Sequence, residues 1–193
     1  MGKSHALSAG TPDGAALTWD EPELGTIQPD DDPLNPLGYK YTAPPKLPQR
    51  NPGDPLYMYG MRLVPITVRP TAGGSAATID MLVIGPKNAN YWLEPEAKAD
   101  GSVALPFYKL DRDGNRIEVP EPVEWTVLKG SGQVDPTTRV YTPKAGADEQ
   151  YAIVSAFYDN GDDADTHDYV ILPVPFITSH RYADLLSPAI KEV

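Results

Sequence analysis

Prolines and glycines recur from one end of this chain to the other, 22 and 16 of them, and their spread constrains the fold more than any other feature. A proline inside a helix removes a backbone donor and clashes with the turn before it, while a glycine there costs backbone entropy. Helices are therefore interrupted almost everywhere. Between the breakers lie short runs of β-branched and aromatic residues, which suit a pleated, half-buried surface. That pattern belongs to an all-β chain of many short strands joined by turns, as in a sandwich or a barrel.

Length and chemistry narrow the classes further. The 193 residues are enough for one large domain or two of roughly 90 residues, each able to bury a core without covalent staples. There is no cysteine, hence no disulfide, thiolate metal site or cysteine nucleophile. Sixteen basic residues stand against 27 acidic ones, a formal charge of −11. A surface that repels phosphate sets nucleic acid aside as a partner and disfavours an anionic membrane. The longest apolar stretches, residues 81–84 and 170–172, fall far short of the ~20 residues that span a bilayer. Residues 1–14 hold one lysine and no apolar run, so they do not read as a signal peptide.

The order of elements follows from turn signals. Residues 1–16 are small and polar and are expected to be a flexible tail. Residues 57–68 read as one long strand bent at Gly60 or Pro65, followed by a Gly/Ala/Ser turn and a strand over 78–84. Gly85-Pro86-Lys87-Asn88 reads as a domain boundary. Beyond it come a short edge strand over 90–93 and a strand over 103–110. Asp111-Arg112-Asp113-Gly114-Asn115 reads as a hairpin turn, because Asp, Gly and Asn tolerate positive φ. Strands over 117–119, 123–128, 140–142, 151–158 and 168–174 complete the list. Only residues 182–186 and 189–193 read as weakly helical.

Internal self-similarity organises these strands. Leu17-Thr18-Trp19, Gly25-Thr26-Ile27-Gln28-Pro29 and Tyr41-Thr42-Ala43-Pro44 in the first half are matched by others in the second. These are Val123-Glu124-Trp125, Gly132-Gln133-Val134-Asp135-Pro136 and Tyr141-Thr142-Pro143. Each half then offers a long strand and a closing strand opened by an aspartate, Asp80 in one and Asp168 in the other. Trp19 and Trp125 are expected to fill the space between sheets, with Trp125 the costlier to remove. The first half has only polar residues ahead of Trp19, so its sandwich is expected to lack its first strands and to be completed from outside that segment.

This order of motifs resembles the bacterial immunoglobulin-like domains found in tandem in surface adhesins and phage tail proteins. The resemblance implies a partial immunoglobulin-like module over residues 17–86, a full β-sandwich over 87–176 and a short helical tail over 177–193. It further implies a non-enzymatic structural or adhesive role in a larger bacterial or phage surface assembly, extracellular or surface-associated. A protein partner or neighbouring module is then expected. A carbohydrate-binding sandwich and a subunit of a secreted toxin complex are the alternatives.

Candidate sites are few. Tyr57, Tyr59 and Trp92, with Tyr39 and Tyr41, are the aromatics suited to a glycan or protein surface, since such rings are rigid and amphipathic. Asp159, Asp162, Asp163, Asp165 and Asp168 crowd one interstrand loop and are the candidate ligands for calcium, which takes six to eight oxygens. The loop lacks the glycine and bidentate glutamate of a helix–loop–helix calcium site, so a solvated hairpin is the competing reading and no cofactor is required. Ser155, His167 and a neighbouring aspartate form no spaced catalytic set.

Overall fold

The computed structural model describes residues 2–11, 14–34, 38–47, 57, 58, 60–161, 166–174 and 176. The helical tail expected over 182–186 and 189–193 lies outside them. Among the described residues every regular element is a strand and every ladder is antiparallel, in several small sheets consistent with a β-sandwich. Two compact units divide the chain between Pro86 and Lys87, inside the Gly85-Pro86-Lys87-Asn88 segment.

The first unit contains β1 (Ser4–Leu7), β2 (Leu17–Trp19), β3 (Thr26–Pro29), β4 (Tyr39–Thr42), β5 (Tyr57–Met58), β6 (Met61–Pro70) and β7 (Ala77–Ile84). One sheet runs β1-β4-β3; the other is built on β6. Strand β7 lines one edge of β6 from Met61↔Ile84 to Val68↔Ala77, while the opposite edge takes β5 at one end and β2 at the other. Pro65 sits between those two short partners. It shares the parity of Thr67, whose carbonyl accepts from Asp20 N–H at 2.9 Å on the β2 side. The missing proline N–H therefore faces the gap and costs the β7 ladder nothing. The bend at Gly60 is a full reversal with φ +67°, so residues 57–68 form a hairpin rather than one strand.

Residues 1–16 are not simply a tail. Ser4–Leu7 pairs with β4 in register Ser4↔Thr42 to Leu7↔Tyr39, and Leu7 is buried in the core. One apolar side chain at the right parity, plus a ladder for the backbone groups, suffices to order an otherwise polar segment. The first unit thus supplies one strand ahead of Trp19 from its own sequence. Its core gathers Leu7, Trp19, Tyr41, Leu47, Val83 and the alternate β6 residues Val64, Ile66 and Val68, the period of two that a strand imposes.

The second unit contains β8 (Tyr91–Leu93), β9 (Glu96–Ala97), β10 (Val103–Ala104), β11 (Phe107–Leu110), β12 (Arg116–Glu118), β13 (Glu124–Lys129), β14 (Gln133–Asp135), β15 (Val140–Thr142), β16 (Tyr151–Phe157) and β17 (His167–Pro173). Its sheets run β14-β15-β10-β9, β12-β11-β8 and β13-β16-β17. Residues 103–110 are split because Pro106 cannot donate to a ladder. Leu105 N–H donates to Arg139 O on one side, while Pro106 O accepts from Glu94 N–H on the other, and the chain passes between sheets there. All three sheets feed one core, centred on Phe107, Leu105, Val154 and Leu172. Burying Phe107 alone contributes about 1.5–3 kcal/mol by area removed from water. The turn after β11 forms as its composition requires: Asp111 Oδ1 accepts from Asp113 N–H (2.9 Å) and Asn115 N–H (2.8 Å), and Gly114 takes φ +80°.

The same registers occur in both units. Trp19 pairs with Val68 and Trp125 with Ala156; Ile27 pairs with Tyr41 and Val134 with Tyr141. Both tyrosine rings are almost wholly buried, at 1 % exposure. Each lies against the glycine that precedes its partner strand, Gly25 or Gly132. The closing strands depart from the sequence alignment. Asp168 pairs with Ala156, but Val68, which holds that place in the first unit, pairs with Ala77; Asp80 sits three residues further along, opposite Pro65. The two aspartates are therefore not equivalent, which is why Met81 faces the core while Tyr169 and the 56 % exposed Ile171 lie on the other face from core residues Val170 and Leu172.

The buried tyrosines make the fold sensitive to alkali. Burial raises the Tyr41 phenol above its ordinary value; burial, then Glu149, raises Tyr141 against the opposing Gly132 amide. A raised folded-state value means stability that is fully present below about pH 10, the unfolded tyrosine range, and lost as pH rises through the folded values. Denaturant midpoints measured from pH 8 to 11 are expected to fall above about pH 10, and less steeply in a Tyr41→Phe/Tyr141→Phe variant. A variant with an unchanged alkaline slope contradicts this.

Candidate functional site

The outer face of the β8-β11-β12 sheet carries a cluster of partly exposed aromatic and charged side chains. Alternation places Trp92 and Glu94 on one face of their segment, and the register sets Trp92 opposite Tyr108 and Tyr108 opposite Glu118. The Trp92 and Tyr108 ring centroids are 5.9 Å apart, and the Arg116 guanidinium lies 3.7 Å over the Tyr108 ring. Glu94 closes the set: Oε1 accepts from Trp92 Nε1 at 3.0 Å and Oε2 from Arg116 at 2.6 Å. The result is a Trp–Tyr–Arg ladder across three strands with both ends tied to one carboxylate. Chemically it offers an aromatic edge and a cation, and its polar atoms already satisfy one another.

Of the aromatics expected in a binding surface, Trp92 alone falls in this set. Tyr57 lies in β5 of the first unit, where its side chain is outside the described set, and Tyr59 is outside the described residues. Tyr41 is core and Tyr39 packs against Trp19 at 5.2 Å between centroids. Tyr108, Arg116 and Glu94 carry a sequence signal only through register. Tyr108 and Trp92 are each the central residue of a three-residue pairing, which single-strand alternation does not reveal.

The acidic loop after β16 divides in two. Asp162, Asp163 and Asp165 lie outside the described residues. Asp159 Oδ1 accepts from Gly161 N–H at 2.9 Å, a local turn bond. Asp168 points elsewhere: Oδ1 is held by Lys87 Nζ and Oδ2 accepts from Leu93 N–H at 2.8 Å. The buried Asp168 carboxylate thus fastens β8 along β17. Among the described residues no three acidic or histidine side chains converge as metal ligands. Ser155 is wholly buried and its Oγ donates to Asp168 O at 3.2 Å.

The Asp168 clasp is open to test. Asp168→Ala leaves Leu93 N–H and Lys87 without their acceptor, a loss of about 2–3 kcal/mol after discounting for the partly exposed lysine. Urea unfolding measures it. A loss below about 0.5 kcal/mol, the ordinary range for surface changes, contradicts the clasp. No protein-family model, curated protein or solved structure matches this chain.

Proposed function

We propose that the chain is a non-enzymatic structural or adhesive protein made of two immunoglobulin-like modules, serving as part of a larger bacterial or phage surface assembly. The observation that carries this reading is the recurrence of the Trp and Gly–Tyr registers in both units. Successive rigid β-units that share one internal plan suit spacing and presentation, where stiffness and repetition matter more than a pocket. Net charge of −11 favours a soluble, non-aggregating surface. In native material, antibody against the chain is expected to label intact cells or particles, and external protease is expected to remove the signal. Recovery only in the soluble interior fraction contradicts the reading.

A second reading, glycan binding, is favoured by the Trp92–Tyr108 pair, since sugar rings stack on aromatic faces. Glycan-array binding that vanishes in Trp92→Ala, with the melting temperature kept, supports it. Binding that survives that change removes this face from consideration.

A further inference from the structure

Strand β12 ends its sheet, in the order β12-β11-β8, and among the described residues it pairs with β11 alone. Its residues Arg116, Ile117 and Glu118 are all exposed, Ile117 at 39 %. The ladder fixes which backbone groups face outward. Val119 N–H donates to Phe107 O at 2.8 Å, and Asp111 N–H donates to Asn115 O at 2.9 Å. Bonding direction alternates along an antiparallel strand. Ile117 therefore turns its N–H and C=O to β11, while Arg116 and Glu118 turn theirs to the outer edge. The Arg116 and Glu118 side chains share the outer face of the sheet, and Ile117 takes the opposite one. Arg116 donates to Glu94, and Glu118 accepts from Arg139. A guanidinium has more donors, and a carboxylate more lone pairs, than one such partner uses, so each can take a second.

We infer that β12 pairs with β12 of a second copy of this chain, antiparallel about a two-fold axis at Ile117. Only outward-facing backbone groups can exchange hydrogen bonds across the edge, so Arg116 and Glu118 must meet their outward-facing counterparts. One register sets Arg116 opposite Arg116 of the copy. Another sets Glu118 opposite Glu118 and leaves Arg116 against Pro120, which has no N–H. The register between them sets Arg116 opposite Glu118 and Glu118 opposite Arg116. Opposite charges across strands are favourable and like charges are not, so the sequence selects this register. Ile117 then meets its own copy at a non-hydrogen-bonded site, where side chains approach most closely. Charges and a nearby proline ordinarily protect an edge. Here Pro120 confines the ladder to β12, while the charges complement an identical strand. An isologous pairing of this kind closes as a dimer rather than growing into a fibre. The inference goes beyond the modular reading and does not depend on it.

Sedimentation equilibrium of the full chain is the test. A reversible dimer is expected with a dissociation constant of about 0.1–1 mM, the weak regime of so small an interface. Arg116→Glu and Glu118→Arg each set like charges opposite one another across the axis. Each is expected to weaken association about tenfold or more. Mixed in equal amounts, the two variants present opposite charges at both cross-strand pairs, and association is expected to return to the level of the unaltered chain. That recovery separates a lost contact from a damaged fold. Amide exchange gives a second readout: with rising concentration the Arg116 and Glu118 amides are expected to slow by about threefold or more, as new edge hydrogen bonds form. Ile117, already bonded to β11, is expected to change little. The inference is overturned by a monomer alone up to about 1 mM, by association that survives either charge reversal, or by a mixture that fails to recover.

Discussion

Trp19→Ala destabilises the first unit by about 3 kcal/mol, at the lower end of the range for emptying a buried aromatic site, and Trp125→Ala costs the second unit less. This ranking reverses the one that motif order suggests. Trp19 is 9 % exposed, packs into the core beside Val68 and meets Tyr39. Trp125 is only partly buried and packs against its core from the margin. The lower end applies because a cavity of about 520 Å³ lies beside the indole, lined by Ala9, Thr11, Leu17 and Tyr39 among others. Water entering from there fills part of the hole that the substitution leaves. Equilibrium unfolding of the two variants measures the difference; a Trp125→Ala loss equal to or above that of Trp19→Ala contradicts it.

What the sequence made legible follows from the range of the forces involved. Turn chemistry is local, so the Asp111–Asn115 hairpin and the Gly85–Asn88 boundary can be read directly, as can the all-β class. Strand pairing is not local. The importance of Leu7 depends on β4, more than thirty residues away, and a polar neighbourhood hid it. The opening aspartates illustrate the opposite error. Asp80 and Asp168 look alike along the chain, yet a three-residue difference in register puts one opposite Pro65 and the other against β8. Register reverses which face a side chain occupies with every single step, so short motif likeness in a strand fixes position only where a second contact anchors it. The same limit applies to the outer aromatic face: Trp92 is visible as a residue, but its companions Tyr108, Arg116 and Glu94 come from pairing. The glycine–tyrosine contact of each unit is likewise a product of pairing: Gly25 and Gly132 read as turn residues along the chain, and only the register brings Tyr41 and Tyr141 against them.

Gly25→Ala is expected to cost the first unit about 3–4 kcal/mol, the sum of a left-handed backbone penalty and local overpacking. Gly25 holds φ +83°, and a Cβ there meets Thr42 O at 2.5 Å and the Tyr41 ring at 2.8 Å. The ring cannot retreat easily, because Tyr41 Oη donates to Leu24 O at 2.9 Å and its face is buried. Gly132→Ala tests the corresponding place in the second unit. No positive φ is involved there, but a Cβ overlaps the Tyr141 ring and approaches Thr142 O to 2.5 Å. Overpacking alone sets its cost at about 1–3 kcal/mol. The mechanism has a further signature. If the tyrosine ring is what excludes the methyl group, combining Gly132→Ala with Tyr141→Leu must cost less than the two changes added, a coupling of about 1 kcal/mol or more for groups in contact. Additive losses would mean that the backbone oxygen, not the ring, decides the site. Tolerance of alanine at both positions would remove the shared lock altogether, and with it the argument that the two halves follow one structural plan.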